Sequence, residues 1–79
     1  MPRYMDQHKM GSITPEMLRK MQDEPRDEFG VLHQEIFFNK EDDKIWCVLD
    51  APDKESVKKH HEKGGVKVDW VHEIESTLD

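Results

Sequence analysis

The chain has 79 residues, 34% hydrophobic and 38% charged, with a formal net charge of −6. That length fits one domain, taken as 1–79, with a marginal core, since a chain this size buries only somewhat over ~60% of its unfolded surface. A single cysteine excludes an internal disulfide, and lysines and arginines form no basic stripe to neutralise a phosphate backbone, which speaks against nucleic acid. Extra stability then has to come from a metal or a second subunit.

In chain order, Arg3 to His8 alternates and reads as a first strand, with Tyr4, Asp6 and His8 on one side. Gly11-Ser12 breaks it. Thr14 supplies a hydroxyl N-cap and Pro15 a first helical residue, and Met17, Leu18, Met21 and Phe29 follow as one apolar stripe. Pro25 should kink or stop that helix, and Gly30 is a C-terminal stop. Val31 to Phe38 is the second strand, with Leu32, Gln34, Ile36 and Phe38 on one face and His33, Glu35 and Phe37 on the other. Asn39 to Asp43 makes a polar hairpin connection. Ile45 to Leu49 is apolar throughout, so the third strand should be covered on both faces. Asp53 caps a second helix reaching about Lys63, whose inward stripe is Val57, His60, His61 and Gly64. Gly64-Gly65 ends it, and Asp69 to Glu75 is a last strand with Trp70, His72 and Ile74 on one face.

Strand, helix, strand, strand, helix, strand is the split βαβ pattern of the ferredoxin-like α+β fold. It implies a four-stranded antiparallel sheet in the order 4-1-3-2, with both helices on one face. The other face would carry either Trp46 and Val48 or Ile45, Cys47 and Leu49, and neither set belongs in water. A homodimer closed through that face, a dimeric α/β barrel, is therefore expected. No apolar run approaches the ~20 residues of a membrane span, and MPRYMDQHKM has no signal-peptide core. With one unpaired cysteine, this places the protein in the reducing cytoplasm, again as an expectation.

The chemistry-bearing side chains are His8, His33, Cys47, His60 and His61. Imidazole, thiolate and carboxylate are the donors that nickel, copper and zinc prefer. The local spacing is poor: there is no C-x-x-C, and His60 and His61 point about 100° apart on a helix. A site must be assembled from separate elements. If the hairpin loop is even-numbered and centred near Glu41-Asp42, Cys47 faces Ile36 and lies on the core side, which sends His33 and Glu35 to the open face with Trp46. A loop one residue longer reverses this parity. For each residue a plain structural role competes: a buried small side chain for Cys47, a solvated or packed ring for each histidine, and a packed or interface ring for His72.

Trp46-Cys47, Ala51-Pro52-Asp53, Glu55, Val57, His60-His61 and Gly64-Gly65 together resemble a family of small bacterial and archaeal ferredoxin-like proteins, some described as nickel-binding. Met1 to Tyr4, Asp6 to His8 and Asp27 to Val31 resemble the same family, so the likeness spans nearly the whole chain. The resemblance implies a sheet-on-sheet dimer and binding of nickel or a similar divalent metal. It matches His8, Cys47 and the His60-His61 pair to the family's histidine and cysteine positions; which ring of the pair corresponds stays open.

Two other functions compete with metal binding. One is an enzyme or small-molecule binder using His33, Glu35 and His8 as acid–base groups in a dimer cavity. The other is an interaction module without metal. No nucleophile with an orienting partner, phosphate loop or cofactor motif is present in the sequence, so an enzyme is the weaker reading.

Overall fold

The computed structural model describes residues 1–79. The elements are β1 (Arg3–His8), α1 (Pro15–Asp23), β2 (Leu32–Asn39), β3 (Lys44–Asp50), α2 (Lys54–Lys63) and β4 (Val68–Ile74). They form a four-stranded sheet in the order β2-β3-β1-β4, with every neighbouring pair antiparallel. This is the ferredoxin-like arrangement that the element order implies.

Both helices begin as the sequence directs. The Thr14 hydroxyl accepts from Met17 N at 3.2 Å, and the Asp53 carboxylate accepts from Ser56 N at 2.8 Å, each satisfying an amide that the first turn leaves free. Proline at position 25 stops α1 at Asp23 rather than kinking it, and the chain does not resume helical geometry before β2. Gly30 therefore is not a helix stop. It sits in the following turn at φ +82°, where an added Cβ would lie 2.9 Å from Pro52 Cγ.

Along β3, Ile45, Cys47 and Leu49 are wholly buried and join Leu18 of α1 and Val57 of α2 in the core. Trp46 and Val48 point to the face away from the helices and are half-buried. The hairpin pairs Asn39 with Lys44, so the loop holds an even number of residues and Cys47 does face Ile36. The expected two-fold alternation of β2 nevertheless fails. A bulge between His33 and Glu35 leaves Gln34 unpaired, so His33 pairs with Leu49 and Glu35 with Val48. An extra residue in one strand inverts the face of everything before it. His33 accordingly turns to the helix-covered side, and Leu32, Glu35 and Phe37 share the other.

Candidate metal centre

Of the 14 buried residues, four are polar: Asp6, His8, His33 and His61. Burying such groups costs stability unless each finds a partner, so their number in so small a core points to a site rather than to packing. Their backbones come from β1, β2 and α2, and each arrives by a simple local rule. Alternation along β1 puts Tyr4, Asp6 and His8 on the helix side. The bulge brings in His33. Helical spacing from Val57 brings in His60 and His61, with Val57 and His61 buried and His60 half-buried.

All five sequence-selected residues, His8, His33, Cys47, His60 and His61, line one cavity of about 370 Å³. Ile13, Met17, Met21 and Val66 form much of its apolar wall. The tightest group is Asp6, His8 and Cys47, whose ligating atoms all lie within 4.8 Å of one another. The Cys47 thiol is 3.8 Å from His8 Nε2. His61 Nε2 is 2.9 Å from Asp6 Oδ2, an ion pair when the ring is protonated. Apart from that ion pair, the Asp6 oxygens, like His33 Nε2, are buried without a hydrogen-bond partner.

The ring nitrogens turned away from the cavity are already engaged. His8 Nδ1 donates to the Lys9 carbonyl at 3.0 Å, His61 Nδ1 to the Val57 carbonyl at 2.8 Å, and His60 Nδ1 to the Asp27 carboxylate at 2.5 Å. These partners only accept, so each Nδ1 carries a hydrogen. For a neutral ring, Nε2 is then the bare nitrogen, the arrangement found around metal-bound histidines.

The electrostatics follow from burial and neighbours. Burial, reinforced by the nearby His60 ring, lowers the His33 pKa to about 4, so this ring is neutral at pH 7. Burial also works against charge on His61, but the Asp6 carboxylate and then the Val57 carbonyl outweigh it and raise its pKa. The Cys47 thiol is pushed strongly upward by burial and then by Asp6. A divalent cation beside Asp6 would reverse that last effect, because a coordinating thiol gives up its proton. For Asp27, burial is overcome by the His60 ring and the amides of Val31 and Phe29, which hold its pKa down. The donor set fits a borderline cation: a buried carboxylate, the Nε2 of His8 and a thiol converge at one point.

Two participants escaped the sequence reading. Asp6 was legible as the neighbour of His8 on one strand face, but a carboxylate there reads first as a solvated charge. Asp27 lies in the loop after α1, with no periodic signal to mark it. The proposed acid–base set of His33, Glu35 and His8 is not assembled, because the bulge turns His33 to the helix side with His8 while Glu35 stays on the open face. His72 is exposed on that same open face and stacks on Trp70 at 5.2 Å between ring centroids.

Fold and cavity together define a small ferredoxin-like protein with a buried carboxylate, imidazole and thiol cluster. Residues 4–74 match the family described as nickel responsive protein SCO4226-like, and the chain belongs to that family. Among solved structures it is similar to SCO4226 from Streptomyces coelicolor A3(2), at 25% identity and a TM-score of 0.77, over 95% of this chain and 98% of that one. A search of curated proteins gives no match. No helix is long and apolar enough to cross a membrane.

Proposed function

We propose that this protein binds a nickel-type divalent cation, held by Asp6, His8 and Cys47 with His61 beside them. One observation carries the reading: three ligating atoms from two paired strands lie within 4.8 Å, all buried, and the only cationic group beside the carboxylate among them is the His61 ring. A wholly buried carboxylate is costly unless it is compensated; the His61 ring does this only when protonated, and a metal cation does it directly. The printed description of the family, nickel responsive, supports the same reading. Bound there, the cation would supply positive charge and a Lewis-acid centre, and its binding would release the thiol proton of Cys47. Storage, buffering and sensing of the cation are all consistent with such a centre.

The test is a cobalt(II) or nickel(II) titration of the untagged, EDTA-stripped chain, read by absorption and thermal unfolding. A thiolate-to-metal charge-transfer band should appear and vanish in Cys47→Ser. A cation present at ~100 times its dissociation constant should add about 2.7 kcal/mol of stability. No band and no stabilisation with nickel, cobalt, zinc or copper would refute the reading.

The same proposal takes the working unit as a homodimer, closed through the face opposite the helices. Support comes from the side chains there: Met5, Trp46, Val48, Trp70 and Ile74 are only partly covered, and Phe37 is 46% exposed. Partly covered apolar side chains grouped on one sheet face are what an interaction surface presents.

A further inference from the structure

We propose that His33 and His60 form a second cation subsite in the same cavity, on the solvent side of the Asp6, His8 and Cys47 centre. It would hold a borderline divalent cation through imidazole nitrogen, with water completing the coordination. The inference rests on the metal-binding reading of the cavity and adds a separate all-nitrogen site to it.

The strongest support is how His33 arrives. Regular alternation would place it on the open face with Phe37; a bulge at Gln34 turns it inward instead. The bulge is itself clamped, because the Gln22 side-chain amide donates to the carbonyls of both His33 and Gln34 at 3.1 Å. Bulges of this kind re-aim side chains beside functional sites. What the device delivers is a histidine only 6% exposed whose Nε2 has no partner. An apolar side chain would fill that space at lower cost, so the polar nitrogen needs a ligand to justify it.

His60 is prepared in a complementary way. Its Nδ1–H is held by Asp27 at 2.5 Å, and Asp27 is fixed in turn by the amides of Phe29 and Val31 at 2.9 Å. A carboxylate that orients one ring nitrogen while the other faces a cavity is the usual support behind a metal-binding imidazole. The His33 and His60 rings lie 5.0 Å apart between centroids. His60 is half-buried where His8 is buried, so the His60 end of the pair lies nearer solvent than the inner centre. Glu24 and Lys63 line the same cavity. Neither His33 nor His60 belongs to the group of ligating atoms gathered within 4.8 Å at Asp6, and the His61 ring stands between, 5.3 Å from His60 and 5.8 Å from His8.

The two subsites differ in donor chemistry and so can be told apart. Cobalt(II) titration of the untagged, stripped chain, followed by calorimetry and absorption, should show two equivalents, only one of them with a thiolate charge-transfer band. His33→Gln and His60→Gln should each abolish the second equivalent and keep the band. Asp27→Asn should weaken the second equivalent about 10–100-fold. Cys47→Ser should remove the band and leave the second equivalent. His60 is half-buried, so its variant tests the proposal even if His33→Gln fails to fold. A single equivalent untouched by His60→Gln overturns the proposal. So does loss of the band in either histidine variant, which would make the rings one centre. Two equivalents without any band would overturn the inner centre while leaving this subsite standing, and no binding at all would overturn both.

Discussion

Acid should destabilise the metal-free protein through His33, by an amount the structure sets. The ring is buried between β2, α2 and the cavity, and its pKa falls from 6.5 to about 4. In the unfolded chain it titrates near its ordinary value. Above that value both states are neutral here, and the group contributes nothing to the pH dependence. As pH drops below 6.5 the unfolded chain takes up a proton that the folded chain refuses until about pH 4, so stability is lost across that window. At ~1.36 kcal/mol per pH unit the loss amounts to about 3 kcal/mol by pH 4, a large share of what a domain this size possesses. His61 works in the opposite sense, since its raised pKa favours the folded state in acid and that gain is lost as pH rises through the folded value. It is present in both wild type and variant, so the difference between them reports mainly the His33 ring together with its coupling to His61. The assay is urea unfolding in EDTA from pH 7.5 down to pH 4, for wild type and His33→Gln. The variant should be flatter by about 3 kcal/mol over that range. Parallel curves would mean that the ring is solvated or already protonated in the fold, and would refute the reasoning.

Gly30→Ala should destabilise by about 1–3 kcal/mol, because it combines a left-handed backbone with a Cβ 2.9 Å from Pro52 Cγ. Gly11→Ala also has positive φ but meets nothing within 4 Å, so it should cost less, and equal melting temperatures for the two would contradict the Pro52 contact. Trp46→Glu, on the open sheet face, should convert the proposed homodimer to a monomer in sedimentation equilibrium while keeping the helix content. A wild-type chain that sediments as a monomer at every concentration would remove the dimer from the proposal.

Local chemistry determined a good deal of this protein from sequence alone. Thr14, Pro15 and Asp53 mark helix starts because they satisfy or omit the free amides of a first turn, and Pro25 ends α1 because it lacks one. Element order then implies the ferredoxin-like sheet, while the facing of Cys47 and Ile36 follows from the even hairpin loop, one of two parities the sequence left open. His8, Cys47, His60 and His61 could be named because strand alternation and helical spacing are short-range rules. The cavity they share could not, since no such rule says which elements will pack together. Tertiary structure alone decided three things: the bulge that brings His33 inside, the partnership of Asp6 with His61, and the reach of Asp27 to His60. The physical reason lies in the two-residue period of a strand. One unpaired residue reverses the face of its neighbours, and whether the chain accepts it depends on Gln22 from a different element being there to hold the bulged carbonyls.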